Sequence, residues 1–307
     1  MFLLPWELEI LEPSAMHFFK DFQDIVTCDE PLGHRTYFGM GGPAEYLVRP
    51  RTVDELRSVV RRCLDEQLPL RTLGGGCNLL IRDEGVRGVV LRLEHGDFTD
   101  ISIKGTRVSS GAGCLLTSVI NESVRKELTG LETLIGIPGT IGGALHMNAG
   151  GRAGDIGQFV QQATVMNAMG EIYERRADEL NFTYRSSSLD EPVILQAQFD
   201  LESDDPAEIL KRLRKLWILK KSEQPLSSQS AGCIFKNPRG LSAGMLIDQA
   251  GLKGTRVGGA QVSERHANFI TADPNCTSQE IIQLIELVKT KVETRFGIEL
   301  ELEIEIW

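Results

Sequence analysis

Gly74-Gly75-Gly76-Cys77-Asn78-Leu79 follows Pro69-Leu70-Arg71-Thr72-Leu73, a short run that reads as a strand. Three adjacent glycines remove side chains and leave backbone N–H groups open to a ligand, the physics of a pyrophosphate cradle. A tight turn without a ligand would use them too, so the flanks decide. Upstream, Gly39-Met40-Gly41-Gly42-Pro43 is a turn cluster and Ala44 to Val48 reads as a strand. Thr52 and Glu55 form a capping box ahead of Leu56, Val59, Val60 and Cys63. Strand, helix, strand and glycine turn together make a βαβ opening. A Rossmann unit, with Glu94 as the ribose-binding acid, is the first reading to test. It fails twice. Leu79 stands where the third glycine belongs, and Ile81 to Arg92 holds too many β-formers and glycines for a crossover helix. A dinucleotide loop of another kind is expected.

Farther along, Gly88 to Leu93 and Arg107 to Ser110 read as strands, and Leu115 to Glu127 as a helix ended by Thr129-Gly130. A second glycine loop follows: Gly136-Ile137-Pro138-Gly139-Thr140-Ile141-Gly142-Gly143-Ala144, with Asn148-Ala149-Gly150-Gly151 behind it. Its glycines let backbone lie against a planar ligand while Pro138 limits flexibility. Two such loops, each read as following a strand, suggest one extended ligand, and a flavin dinucleotide fits. Strands are expected at Ala163 to Val165, Glu171 to Glu174 and Val193 to Asp200. Asp204-Asp205-Pro206 opens a helix that is basic from Lys211 to Lys221 and stops before Gln224-Pro225. The last third reads as a helix at Ala243 to Ala250, a strand at Asn268 to Thr271, a helix at Ser278 to Phe296 and a final strand. A domain boundary falls near residue 203. Residues 1 to about 30 read as a leader with an amphipathic stretch near Met16 to Ile25.

With 307 residues, two or three domains are expected. A net charge of −10 argues against a nucleic-acid partner, because phosphate neutralisation needs a basic face. An anionic small ligand stays open, since a local cluster of cations can hold one. The six cysteines show no CxxC pair or zinc spacing, which points to reduced thiols in a cytosol. The five histidines are dispersed, so no metal site is expected. Met1-Phe2-Leu3-Leu4-Pro5-Trp6-Glu7 lacks a basic n-region and reads as no secretory signal. No apolar run reaches the ~20 residues of a membrane span.

Three further stretches carry chemistry. Ser230-Ala231-Gly232-Cys233-Ile234-Phe235-Lys236-Asn237-Pro238 sets a thiol, an ammonium and an amide behind a glycine. A lone cysteine is most often a small core hydrophobe. Tyr184-Arg185 could be a packed surface pair or a carboxylate grip, since the guanidinium fork suits carboxylates. Glu299, Glu301, Glu303 and Glu305 alternate with apolar residues and alone would read as a solvated strand face.

In combination these stretches resemble the UDP-N-acetylenolpyruvoylglucosamine reductase family, over about residues 34 to 307. The resemblance includes Met147-Asn148-Ala149-Gly150, Ala243 to Gly254, Gly258 to Ser263 and His266-Ala267-Asn268-Phe269. Two positions depart from the pattern: Cys77 and Cys233 each replace a usual serine. The implied fold class is α+β, a two-lobed FAD-binding fold of the vanillyl-alcohol oxidase/p-cresol methylhydroxylase type plus an α/β substrate-binding domain. The implied division is a leader at 1–30, an FAD-binding domain at 31–203 with a lobe boundary near 95, a substrate-binding domain at 204–298, and a strand at 299–307 that returns a glutamate to the flavin.

The same resemblance implies the site. Gly74, Gly75, Gly76, Cys77 and Asn78 hold the FAD pyrophosphate. Gly136, Ile137, Pro138, Gly139, Thr140, Gly142, Gly143 and Ala144, with Asn148, pack on the flavin and its ribityl chain. Tyr184, Lys236, Asn237 and Gln261 bind substrate, with Lys220 and Lys221 adding positive charge. Arg185, Cys233 and Glu303 are catalytic; Phe296-Gly297-Ile298 aligns the last of these. NADPH reduces FAD and leaves. UDP-N-acetylglucosamine enolpyruvate enters the same cleft and takes hydride at its vinyl terminus. Arg185 and Glu303 face the charged carboxylate, and Cys233 supplies the proton, giving UDP-N-acetylmuramate. A thiol holds and releases a proton better than a serine hydroxyl at neutral pH, at the cost of oxidation if it ionises in an open site. The implied type is the shorter one without a substrate-covering tyrosine loop, a cytoplasmic monomer of peptidoglycan precursor synthesis. Two other readings stay open: a flavin oxidase, for which His34 is the only attachment candidate, and an FAD-binding protein without catalysis.

Overall fold

The chain is described here from a computed structural model, for residues 19–225 and 228–307. The βαβ opening forms as its residues dictate. β1 (Val26–Pro31), β2 (Pro43–Val48), α1 (Val53–Asp65), β3 (Leu70–Thr72), β4 (Leu79–Leu80) and β5 (Val86–Leu91) follow in order. The Thr52 side chain accepts from Glu55 N–H, and α1 buries Leu56, Val59, Val60 and Cys63. The sheet runs β1-β2-β5-β3, with β2, β5 and β3 parallel. Its first glycine loop therefore leaves from the carboxyl end of β3, the edge where open parallel sheets bind ligands.

A second lobe follows: β6 (Ile101–Lys104), β7 (Arg107–Gly111), α2 (Leu116–Arg125), β8 (Leu128–Thr129), α3 (Ile141–His146), β9 (Gly150–Gly151), β10 (Gly154–Asp155), β11 (Val160–Met166), β12 (Ile172–Arg176), β13 (Phe182–Thr183), β14 (Ser186–Ser187), β15 (Val193–Asp200) and β16 (Glu202–Ser203). Five of these form an antiparallel sheet ordered β12-β11-β15-β7-β6. One core joins the lobes, holding Tyr46, Val59 and Val89 together with Val108, Leu116 and Phe199.

The remainder comprises α4 (Pro206–Glu223), α5 (Ala243–Gln249), β17 (Arg256–Val257), β18 (Ala260–Val262), β19 (Ile270–Ala272), α6 (Ser278–Phe296) and β20 (Glu305–Ile306). Its core of Phe235, Ile247, Leu284 and Ile285 also takes in Phe38, Met40 and Leu80 from the first lobe. The content is mixed helix and strand, α+β as expected.

The structure departs from the sequence reading in several places. The second glycine segment is half helix: Thr140 caps α3, accepting from Gly143 N–H at 3.4 Å, so Gly142, Gly143 and Ala144 are helical. It also follows a 3-10 turn at Leu131–Leu134 rather than a strand. The expected helix to Glu127 stops at Arg125, because Leu128–Thr129 pairs with β16. The final strand has a ladder only at Glu305–Ile306, parallel to β4. Of the amphipathic stretch expected near Met16 to Ile25, Lys20–Phe22 is a 3-10 turn; Met16 to Phe18 lie outside the described residues.

Candidate functional site

The two glycine loops touch. A Cβ on Gly75 would lie 2.7 Å from Gly139 Cα, and one on Gly74 2.6 Å from Thr140 Oγ1. Gly76 has φ +63, and a Cβ there would lie 2.1 Å from Arg35 O. No side chain fits at these three positions, so the loops present bare backbone to one place. That cradle fits a flavin dinucleotide. Cys77 sits between the loops: its Sγ is 3.0 Å from the Gly75 Cβ position and 3.6 Å from that of Gly139. Burial pushes the Cys77 thiol up to about 11, opposed by a hydrogen bond from Tyr37. Tyr37 N–H also donates to Gly76 O at 3.0 Å.

The C-terminal segment ties this cradle to the cysteine loop. Asn78 Nδ2 donates to Glu303 O at 2.8 Å, and Glu305 N–H donates to Asn78 O at 2.9 Å. On its other side, Glu303 N–H donates to Ile234 O and Lys236 N–H to Glu301 O, both at 2.8 Å. Phe235 and Leu302 form an antiparallel bridge between them. Glu303 is thus held between the first glycine loop and the cysteine loop. Its side chain is 12% exposed whereas that of Glu301 is 76% exposed. One member of the acidic row turns inward.

Glu303 meets Arg185. Arg185 Nε donates to Glu303 Oε1 at 2.6 Å, and its Nη1 donates to Gly150 O at 2.9 Å. Arg185 is the second residue of the two-residue turn joining β13 to β14 and has φ +56, a conformation that costs a non-glycine residue. The turn is pinned from below. Asn148 Nδ2 donates to Thr183 O at 2.8 Å, Gly157 N–H donates to Asn148 Oδ1 at 3.1 Å, and Ser187 Oγ donates to His146 O at 3.0 Å. The Asn148 side chain, expected on the cofactor, therefore holds the Arg185 turn. Burial raises the Glu303 carboxyl above its ordinary range and outweighs the Arg185 ion pair and the more distant Lys236. The 2.6 Å contact favours the anion, yet so buried a carboxyl holds a proton more readily than an exposed one.

Cys233 completes the group. Burial, then the Glu303 charge, pushes its thiol up to about 12, against Arg185 and a hydrogen bond with Asn268. Its surroundings therefore favour the protonated thiol over the thiolate. Gly232 has φ +82 and open space around its Cβ position, room that a ligand can enter.

Of the expected substrate contacts, Tyr184 stands 53% exposed, and its hydroxyl accepts from Asn237 N–H at 3.2 Å. The Asn237 side-chain Oδ1 is engaged inside the protein, accepting from Ala243 N–H at 3.0 Å at the start of α5. Lys236 Nζ lies 3.8 Å from Glu301 Oε2. Gln261 lies on β18, with Oε1 accepting from Arg256 and Nε2 reaching Gly254 O; these bonds do not join it to Arg185, Cys233 or Glu303. Lys220 has no ion-pair partner among the described residues. Its chain would contact a Cβ on Gly136 at 3.0 Å, and burial, with Arg185 nearby, brings its ammonium down to about 8. Glu94, the acid of the rejected Rossmann reading, pairs with Arg92 at 2.9 Å. Sequence reasoning gave no role to Tyr37 or Asn268; an isolated polar residue carries no pattern that marks its partners. No group of three or more metal-ligating side chains occurs among the described residues. Among them, too, no helix is long and apolar enough to cross a membrane.

The family model for the UDP-N-acetylenolpyruvoylglucosamine reductase C-terminal domain matches residues 224–307, and that for an FAD-binding domain matches residues 44–175. A UDP-N-acetylenolpyruvoylglucosamine reductase of Symbiobacterium thermophilum is 43% identical over 280 residues, 91% of each chain. One of Alkaliphilus oremlandii is 40% identical, covering 92% of this chain and 94% of its own. The crystal structure of UDP-N-acetylenolpyruvylglucosamine reductase from Thermus caldophilus superposes with a TM-score of 0.80 at 37% identity. It covers 92% of this chain and 98% of its own.

Proposed function

We propose, from the premise that the chain belongs to the UDP-N-acetylenolpyruvoylglucosamine reductase family, that it reduces UDP-N-acetylglucosamine enolpyruvate to UDP-N-acetylmuramate with NADPH. The chain is an FAD-dependent oxidoreductase. When bound, FAD supplies two-electron chemistry between NADPH and the enolpyruvyl double bond. The rest falls to the protein. Gly74 to Asn78 hold the pyrophosphate on bare backbone, and Gly136 to Ala144 line the cofactor, with the Arg185 turn fixed above them by Asn148.

Arg185 grips the substrate carboxylate. Two of its donors are engaged by Glu303 and Gly150, which fixes the fork and leaves the others for the ligand. As negative charge gathers on that carboxylate, Arg185 and a Glu303 that takes up a proton stabilise it. Cys233 then gives its thiol proton to the adjacent carbon: the S–H bond breaks, the C–H bond forms, and the electron pair stays on sulfur until solvent returns a proton. Lys220, Lys236 and Tyr184 serve the nucleotide diphosphate end. The product belongs to peptidoglycan precursor synthesis, a cytoplasmic role.

The observation that carries this reading is the convergence of Arg185, Glu303 and Cys233, drawn from three separate stretches, beside a cradle without side chains. The test is steady-state NADPH oxidation that depends on the enolpyruvyl ether, in wild type, Cys233→Ala and Cys233→Ser. A positioned general acid contributes roughly 10²- to 10⁴-fold, so the alanine variant should lose that much in kcat while the serine variant keeps part of it. Normal turnover by Cys233→Ala would remove the thiol from the mechanism.

A further inference from the structure

The cysteine loop runs between two walls. The C-terminal segment forms one, and Asn268 supplies the grip on the other. Its backbone carbonyl accepts from Ile234 N–H at 2.8 Å. Its side chain then repeats the pattern of a strand pair on the next residue: Phe235 N–H donates to Oδ1 at 3.0 Å, and Nδ2 donates to Phe235 O at 2.8 Å. Cys233 itself pairs with Phe269 in an isolated bridge. Asn268 is 3% exposed, and its N–H donates to His266 Nδ1 at 3.3 Å. Flipping the carboxamide would break both bonds to Phe235, so the orientation of its oxygen and nitrogen is fixed by the loop. The same carboxamide bears on the Cys233 thiol, favouring its ionised form against the burial that opposes it. Only one end of it carries protons to share with that sulfur.

We infer that Asn268 is a positioning residue for the proton-transfer step: its NH2 group, aimed by the Phe235 backbone, donates to the Cys233 sulfur and steadies the thiolate left when the proton departs. This rests on the reading of Cys233 as proton donor. The charged groups facing the sulfur are Glu303, which opposes a thiolate, and Arg185, which favours one but is engaged with Glu303. A fixed neutral donor adds stabilisation where charge develops without attracting a counter-ion beforehand. The amide thus eases release of a proton that its surroundings otherwise hold tightly.

The test uses the holoenzyme of Asn268→Asp, which keeps the acceptor for Phe235 N–H and loses the donor. Anaerobic stopped-flow measurement separates reduction by NADPH from reoxidation by the enolpyruvyl ether. Reduction should stay within about twofold, while reoxidation slows by on the order of 10²-fold, the usual cost of one such donor. Peptide-resolved alkylation with iodoacetamide between pH 8 and pH 11 gives the second readout. Cys233 should react roughly tenfold more slowly in the variant at each pH, because less thiolate is present. Equal slowing of both half-reactions, or an unchanged Cys233 alkylation profile, would overturn the inference. If aspartate prevents folding, seen as loss of bound flavin, Asn268→Ser takes its place under the same criteria. Cys233→Ala in the same series separates the two claims. If that variant reoxidises normally, the donor reading fails; if it is slow while Asn268→Asp behaves as wild type, only the inference about Asn268 fails.

Discussion

Burial, with no ion-pair partner among the described residues, sets the behaviour of Lys220. Its ammonium lies down at about 8 because desolvation, and then the Arg185 charge, oppose the protonated form. The native state therefore gives up this proton between about 8 and the unfolded value of 10.5, while the unfolded chain keeps it. Stability contributed by Lys220 rises with pH across that window, and the charged ammonium is a cost below it. Anion binding runs the other way, since the charge that attracts a diphosphate fades as pH passes about 8. UDP affinity measured by calorimetry should fall between pH 7 and pH 9, by up to roughly tenfold, and Lys220→Arg should flatten that decline. A flat profile in the wild type would remove Lys220 from the binding of the diphosphate. At this scale the sequence showed residue types and not their partners. Arg185, Cys233 and Glu303 were singled out through family resemblance; their meeting is a matter of folding. Asn148 shows the difference: the family resemblance implied a cofactor contact, and folding reveals in addition that its amide bonds Thr183 and Gly157.

Among elements, the first glycine loop makes the strictest demand. Gly76 combines φ +63 with a Cβ position 2.1 Å from the Arg35 carbonyl, whereas Gly105 has φ +60 and nothing within 4 Å. Alanine at residue 105 should cost only the left-handed backbone penalty of about 1–2 kcal/mol and leave flavin content unchanged. Gly76→Ala must also move backbone, so it should lose most of its bound flavin, read from absorbance after gel filtration. Equal flavin content in the two variants would contradict the assignment of this loop as the cradle. The βαβ opening was legible because its signals are local: Thr52 and Glu55 mark the start of α1, and its apolar positions repeat at helical spacing. Helix α6 was legible for the same reason, with Thr277 and Glu280 forming a capping box and Gly297 closing it in a left-handed conformation. Helix α3 was missed because glycine weakens every helical signal, and only the Thr140 cap reveals it. The segment from Leu300 to Ile304 alternates as a strand should, but its partners, Asn78 and the cysteine loop, are far away in sequence. Nothing local tells that the Glu303 face is covered.

Across the whole molecule, residues 305 to 307 act as a clasp, joining the C-terminal segment to the strand after the first glycine loop. Glu305 N–H bonds to Asn78 O, Trp307 N–H to Leu80 O, and Arg82 N–H to Trp307 O, each at 2.9 Å. The Arg71 guanidinium also lies 5.4 Å from the centre of a Trp307 ring. Removing Glu305 to Trp307 deletes no side chain of the proposed site. It breaks three backbone bonds worth about 1 kcal/mol each and leaves Glu303 tied to the glycine loop by the Asn78 side chain. Denaturant unfolding should show that loss of stability, and flavin affinity should fall with it. A truncated chain as stable as the full one would show that the clasp contributes nothing. What the joined halves do together is read by following flavin absorbance under nitrogen as the holoenzyme is reduced with one equivalent of NADPH and then given UDP-N-acetylglucosamine enolpyruvate. The flavin should bleach, stay reduced until the enolpyruvyl ether is added, and then recover its oxidised spectrum as UDP-N-acetylmuramate forms. A reduced flavin that ignores the enolpyruvyl ether but is reoxidised when air is admitted would contradict the proposed reaction.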